Sequence, residues 1–304
     1  MSTLSKVISK KDYKKQKISD PAKTKDFIFC ALILVLPLFN FFVLNSGSYV
    51  TMFRLAFTPT VEGAGIWGNF VNVFRKFAEQ SNMHIALRNS AIFYGLSWVM
   101  TLPALFTSYY IYCKFPGAKY FQTMLMLPSM VAGMVWVLVY KYFMDLVLPD
   151  LMGWEMGMLT NADTKFLSLI IYSVWFSLGG GLLIYTGMMG SVSEDIREAG
   201  RLDGMNRVRE FWHLMLPAIY PVFVINVVSG LIGFFTATGS TFEFYGLDAP
   251  NSTHTIGYVM FQSVMGLSKD DGFNSAASII FTLIVAPLAL TVKRLMEKYG
   301  PSDT

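Results

Sequence analysis

The sequence predicts an all-α membrane protein with six transmembrane helices and a cytoplasmic two-helix loop between spans four and five. Three observations predict it. Hydrophobic residues make up 54% of the 304 positions and charged residues only 14%, too few charges for a soluble domain of this length. Apolar runs of about 20 residues, long enough to cross a bilayer, recur along the chain. One long charged stretch, SVSEDIREAGRLDGMNRVREFWHLMLP at 191–217, interrupts the apolar C-terminal two-thirds, with span-length runs on both sides of it.

Residues 1–26 are polar and lysine-rich and form a basic N-terminal segment. The apolar run 27–44 follows. A cleaved signal peptide is the rival reading, but the leader is long and no small-x-small site follows closely, so 27–44 is read as an uncleaved first span. Residues 45–86 form a polar outer segment with Gly47, Pro59, Gly63, Gly65 and Gly68, and 67–77 suits a short amphipathic helix at the interface. The core, 87–292, holds the remaining spans. Span two covers 87–112, and a turn with Lys114, Pro116, Gly117 and Lys119 follows it. Span three covers 121–143 with Pro128 inside, then 144–165 is acidic and polar. Span four covers 166–189 and contains Gly179-Gly180-Gly181, read as a flexible or closely packed stretch. After the charged loop come span five at 218–238, a polar segment at 241–272, span six at 273–292 and a basic tail at 293–304.

Six spans put both termini on one side, and the basic residues say which side. Lys6, Lys10, Lys11, Lys14, Lys15, Lys17, Lys23 and Lys25 precede span one. Lys114 and Lys119 follow span two, Arg197, Arg201, Arg207 and Arg209 lie in the charged loop, and Lys293, Arg294 and Lys298 follow span six. These are 17 of the 24 Lys and Arg residues. Arg54, Arg75, Lys76, Arg88, Lys141, Lys165 and Lys269 account for the other side. The termini and the loop are therefore expected in the cytoplasm.

Local signals divide the loop into two helices. Ser191 and Glu194 fit a capping box. Gly204 suits the left-handed residue that often closes a helix. Asn206 can cap a second helix, and Pro217 ends that helix or begins the next span. In the first helix Ile196, Ala199 and Gly200 share a side, small enough at two positions for another backbone to approach. In the second, Val208, Phe211, Trp212 and Met215 form an i, i+3, i+4, i+7 stripe. The loop reads as a compact knob presented to a partner.

These residues also carry a resemblance. Glu198-Ala199-Gly200, three residues, Gly204, nine residues, then Leu214-Met215-Leu216-Pro217 resembles the EAA loop of ABC-importer permeases. Asp203-Gly204 and Phe211-Trp212 are similar to the binding-protein-dependent carbohydrate-uptake branch. The sequence departs from the pattern at Gly200, where the family has alanine, and at Leu214, where isoleucine or valine is commoner. The resemblance runs from about residue 85 to the end. It implies a methionine-importer-like transmembrane domain whose coupling loop, through Glu198, Ala199, Gly200, Asp203, Gly204 and Pro217, docks on an ABC ATPase dimer. ATP and Mg then belong to that partner, and this chain carries no cofactor. The resemblance further implies a second permease chain, related but different, and an extracytoplasmic solute-binding protein. It places the chain in the lipid of a bacterial or archaeal cytoplasmic membrane. Glycine at 200 costs about 0.8–1.0 kcal/mol of helix stability relative to alanine.

The chemistry that is missing points the same way. No Gly-x4-Gly-Lys-Ser/Thr pattern occurs, so no P-loop binds ATP in this chain. His84, His213 and His254 are isolated, and no metal-ligand spacing or catalytic constellation is evident. Cys30 and Cys113 suit ordinary packing, and no basic face suggests nucleic acid. The spans lack mid-membrane ionisable groups, which a self-powered carrier or channel would need. That alternative is therefore disfavoured, while an ABC permease for a non-sugar solute stays open.

A sugar site needs aromatic faces and hydroxyl-matching polar groups. Trp136, Tyr140, Trp175, Tyr185, Asn226 and Ser229 are the candidates, with Tyr172 beside them. For the aromatics, packing or interface anchoring is the competing role. For Asn226 it is an interhelix hydrogen bond of about 0.6–2 kcal/mol. Ser173, Ser177 and Gly181 suit a helix-packing seam. The segment from Thr241 to Gly272, with Glu243, Asp248, Asn251, Asp270 and Asp271, is read as a solvated loop, a binding-protein contact or a segment dipping toward the pore.

Overall fold

A computed structural model describes residues 21–60, 65–266 and 269–301. The lysine-rich stretch 1–20, Gly63 and the last three residues of the tail lie outside the described residues. The described residues are helical, with no strand among them. The chain divides into two compact units after Leu55.

The first unit is built on α1 (Pro21–Phe39), a π turn (Asn40–Asn45) and α2 (Ser46–Phe57), which together make an apolar rod, Phe29–Phe57, long enough to cross a membrane. The expected span ended at residue 44. The helix continues because its small polar residues bond to its own backbone instead of breaking it. Ser46 donates to the Phe42 carbonyl, Thr51 to Gly47 at 2.8 Å, and Asn45 Nδ2 to Asn40 Oδ1 at 3.0 Å. Such back-bonding keeps hydroxyls and amides satisfied within a helix.

The second unit opens with α3 (Gly68–Glu79), the amphipathic helix expected at 67–77. Phe70, Val73 and Phe77 pack with Phe273, Ala276 and Ala277 of the last span, α15 (Asp271–Tyr299). Asp270 fixes that contact from two directions. One carboxylate oxygen accepts from the Phe273 N–H at 2.9 Å and caps α15. The other pairs with Lys76 Nζ at 2.8 Å, and Lys76 also lies over the Phe273 ring at 4.0 Å. Buried Asn69 closes the turn before α3 through Thr58 and Thr60.

Span two is α4 (Ser81–Tyr112), 32 residues long. Span three is not one helix. α5 (Ala118–Met130) stops at Val131, which is extended, and after Ala132 α6 (Gly133–Tyr142) restarts with a 93° bend. A π turn, Phe143–Val147, carries α6 into α7 (Leu148–Met152), so helix continues well past residue 143. Pro128 lies just before the break, where its ring removes a backbone donor. Span four is α8 (Lys165–Ser177) and α9 (Leu182–Met189), separated by Gly179-Gly180-Gly181. The Gly179 backbone sits directly against the Leu125 carbonyl, where no Cβ would fit. Of the two expected properties of this stretch, close packing is present. The seam expected from Ser173, Ser177 and Gly181 is not, because the helix ends at Ser177.

After the loop, span five runs without a stop from Arg207 to Thr236. Its parts are α11 (Arg207–Glu210), a π turn (Phe211–Met215) and α12 (Leu216–Thr236). Pro217 therefore ends no helix. Two π turns, Phe143–Val147 and Phe211–Met215, each lie immediately before a Leu-Pro pair. A widened turn leaves room for the proline ring and absorbs the missing N–H.

The segment 241–272 is more ordered than a polar loop. It holds α13 (Thr241–Tyr245), a 3-10 turn (Asn251–Thr253) and the apolar helix α14 (Ile256–Met265), whose Ile256, Gly257 and Tyr258 are buried. Asn89 of α4 clamps it, donating to the Ser252 and His254 carbonyls at 2.8 Å each, and Ser90 accepts from the Ile256 N–H at 3.0 Å.

His254 is buried in this clamp. Its Nε2–H donates to the Ala249 carbonyl at 3.0 Å and its ring lies 4.8 Å from that of Tyr258. Burial lowers its pKa, although the bond to Ala249 opposes this. The fold therefore holds the neutral ring, while the unfolded chain protonates near pH 6.5. Stability should fall as pH drops below about 6.5 and level off below the lowered pKa. Thermal melts of the chain in nanodiscs between pH 7.5 and 5 should show this fall, and His254→Gln should flatten it.

Candidate coupling site and solute path

The loop between spans four and five folds as two helices, α10 (Glu194–Leu202) and α11, joined by a turn at Gly204. The cap of α10 is Ser193, not Ser191: Ser193 Oγ accepts from the Ile196 N–H at 3.4 Å. Ser191 instead donates to the Met188 carbonyl at 2.6 Å, because the chain there still follows the end of α9. Gly204 closes α10 with φ of +79°. The Met205 N–H reaches the Gly200 carbonyl at 2.9 Å and the Gly204 N–H reaches Arg201 at 3.1 Å, the double bond of a Schellman motif. Asn206 Oδ1 accepts from the Arg209 N–H at 2.9 Å and starts the second helix, as expected.

The faces differ from those the spacing suggested. Gly200 is buried, and a Cβ there would lie 3.2 Å from the Met205 thioether. Its small size serves the loop's own turn, whereas Ile196 and Ala199 are exposed. Glu198, Asp203 and Gly204 are exposed with them, and Leu202 projects with 90% of its surface free. In the second helix Phe211 and Met215 are buried, while Val208 and Trp212 face outward. The π turn breaks the 3.6-residue period, so the four do not form one stripe. Pro217 lies half-buried at the base of the knob.

The residue that organises the knob is Glu210, which the sequence reading passed over as one charge among many. Its side chain is 3% exposed. Oε1 accepts from Arg197 Nε at 2.8 Å, and Arg201 lies 3.7 Å from Oε2. Arg197 lies over the Tyr112 ring at 4.9 Å. Burial is the largest single influence and opposes the charge on Arg197, but the hydrogen bond to Glu210 and the nearby Glu210, Tyr112 and Cys113 groups together outweigh it and hold its pKa above the ordinary value. Tyr109 donates to the Arg207 carbonyl at 3.0 Å. The end of α4 thus holds both loop helices. Behind them Leu105, Tyr109, Tyr185, Met189, Phe211, Met215 and Ile219 form one buried cluster. His213 is exposed and bonds only to the Arg209 carbonyl.

The residues expected to touch solute divide into two sets. Tyr140 is buried and donates to the Ser168 carbonyl at 2.8 Å. Tyr185 is buried and accepts from Asn226 Nδ2, so both serve packing between helices. Asn226 also lines a cavity of about 220 Å³ with Ser97, Trp98 and Thr101, and Ser229 stands exposed one turn further on. Trp136 and Trp175 meet edge to face at 5.2 Å, close to the breaks in spans three and four. The Trp136 indole N–H is buried without a partner among the described residues. Cys30 and Cys113 are free thiols, and no group of metal ligands occurs among the described residues.

A multi-pass membrane fold with broken spans and an exposed two-helix loop is the architecture of a membrane transport subunit. The family model for the binding-protein-dependent transport system inner membrane component matches residues 118–302, and the chain belongs to that family. It is 26% identical over 238 residues to a permease protein for sn-glycerol-3-phosphate transport, UgpA, of Yersinia pestis, covering 76% of this chain and 79% of that protein. It is 24% identical over 292 residues to the arabinooligosaccharide permease protein AraP of Halalkalibacterium halodurans, covering 86% and 89%. It is 22% identical over 271 residues to the multiple sugar-binding transport permease MsmF of Streptococcus mutans, covering 83% and 90%. The fold is similar to that of a bacterial ABC transporter that imports the acidic polysaccharide alginate, with a TM-score of 0.73 at 16% identity over 91% of this chain and 98% of that one.

Removing Arg197 leaves the Glu210 carboxylate buried with only a distant partner, which costs about 3–5 kcal/mol. Losing the exposed Arg201 contact costs about 0–1 kcal/mol. Arg197→Ala should therefore lower the melting temperature sharply and Arg201→Ala barely at all. Arg197→Met with Glu210→Leu should recover most of the loss, because no lone charge remains. Melting of the purified variants checks all three.

Proposed function

We propose that this chain is a permease subunit of an ATP-driven importer that carries a carbohydrate, an oligosaccharide, delivered by a solute-binding protein. The observation that carries the reading is the knob: a small, firmly held, exposed surface on a chain whose sequence carries no P-loop pattern. Ile196, Ala199 and Asp203 line one stripe of α10, and Glu198 and Leu202 line the next. These are the groups that would enter a cleft on an ABC ATPase dimer, with ATP and Mg bound in that partner. Glu198 and Asp203 supply polar contacts and Leu202 an apolar anchor. The Schellman turn at Gly204 holds the tip in shape.

The basic residues support a cytoplasmic knob and cytoplasmic termini, in a bacterial or archaeal cytoplasmic membrane. ATP binding closes the ATPase dimer and draws the knobs of two permease chains together. A related but different second chain completes the pair. The pull passes through the Arg197–Glu210 contact into α4 and span five, and the bundle opens to the outside. Sugar-transport relatives such as AraP and MsmF favour a carbohydrate cargo, and Trp136 and Trp175 beside the broken spans suit sugar faces. The likeness to UgpA keeps a phosphate ester as the second reading.

Glu198→Lys should weaken co-purification of the ATPase and abolish solute-stimulated hydrolysis. Leu202→Asp should weaken the dock in the same way, leaving chain level and melting temperature unchanged. ATPase association and stimulation unaffected by both changes would refute docking through α10.

A further inference from the structure

Three breaks in regular helix lie close together in this chain. One is the bend at 131–132, one is the turn at 178–181, and one is the loop at 237–240 that leads into α13. Gly179 rests on the Leu125 carbonyl, Ser173 Oγ meets Ser240 Oγ at 3.1 Å, and Trp136 meets Trp175. Within a membrane, irregular backbone persists only where it is buried in protein or lines a watery cavity. Transporters place solute at such broken helices.

α13 is held at this junction by nearly every residue around it. Ser240 bonds to Ser173. Thr241 is fully buried and donates to the Thr253 carbonyl at 2.7 Å. Phe242 meets the Phe261 ring at 4.7 Å. Phe244 packs against Tyr140 and Tyr172, with ring centres 5.7 and 4.9 Å away. Tyr245 donates to the Leu159 carbonyl at 2.9 Å. Glu243 is the exception. Its side chain is accessible, makes no hydrogen bond or ion pair with the described residues, and acts electrostatically on Tyr172. Tyr172 in turn lies 6.1 Å from Trp175. Five anchored neighbours thus hold one unmatched carboxylate next in sequence to Phe244, whose ring packs on Tyr140 and Tyr172. The surrounding protein partly desolvates this carboxylate and so raises its pKa, although it stays open to solvent.

A carboxylate beside aromatic faces suits a polyol: the ring faces cover C–H surface and the oxygens accept hydroxyl protons. The same charge repels phosphate and uronate groups. Resting on the carbohydrate reading above, we propose that Glu243 contacts the solute in transit and restricts this permease to uncharged carbohydrate.

The test is uptake of radiolabelled solutes by cells carrying the complete importer. The panel is a neutral gluco-oligosaccharide, a neutral arabino-oligosaccharide, a uronate oligosaccharide, glycerol 3-phosphate and a polyamine. The wild type should import a neutral sugar and neither anion. Glu243→Gln should raise the half-saturation concentration for that sugar about 10-fold, the loss expected for a hydrogen bond to a charged group. The maximal rate and the chain level in the membrane should hold, and Glu243→Asp should fall between. Wild-type import of either anion overturns the proposal. So does a Gln variant with unchanged kinetics, or one that loses maximal rate and chain level with half-saturation unmoved, which marks a structural role; each of these three leaves carbohydrate import standing. Import of the polyamine with no sugar, neutral or acidic, overturns the carbohydrate reading and this proposal together.

Discussion

The buried contact between Arg197 and Glu210 is the constraint on which the loop depends. It joins the two short helices across their turn, and the Tyr112 ring under Arg197 joins them to span two. A buried ion pair adds little net stability, because desolvating two charges offsets their attraction. What it supplies here is position. The Arg197–Glu210 bond at 2.8 Å ties α10 to α11 across the turn. The exposed residues Glu198, Leu202 and Asp203 are then held by the bundle, although none of them packs into it.

Around this rigid end the spans are less regular. Leu105, Tyr109, Met189, Phe211 and Met215 fill the space behind the loop with close-packed apolar volume. Toward the middle, Pro128, Gly133 and the three consecutive glycines interrupt two neighbouring spans. Beyond the breaks Val137, Tyr140, Leu169, Tyr172 and Phe244 form a second cluster that holds α13. The bundle is tightly packed at both ends and its regular helix is interrupted between them.

Much of this was legible in the sequence, and the misses have physical reasons. Gly204, Asn206 and the amphipathic α3 follow from local rules, because a left-handed turn, a cap and a two-faced helix each need particular residue types. The EAA spacing carried the family correctly. The span limits were less readable. Pro217 and Ser46 look like stops, yet a widened turn accommodates one and back-bonding to a carbonyl satisfies the other. The same widened turn spoils the stripe count in α11, which hid the inward turn of Phe211 and Met215. Glu210 stood among many charges, and only the fold brings it to Arg197, 13 residues earlier. Tyr140 and Tyr185 have the composition of sugar contacts, but their hydroxyls were already engaged by Ser168 and Asn226. α14 hid behind the polar residues on either side of it.

Because the chain passes Pro217 without a joint, the inner half of the loop and the fifth span are one stiff rod of 30 residues. At 1.5 Å per residue that rod is about 45 Å long. Swinging it by ten degrees about its near end carries the far end sideways by about 8 Å, more than the diameter of a sugar ring. In a rod of this length a small displacement at the loop end is magnified at the far end of the fifth span.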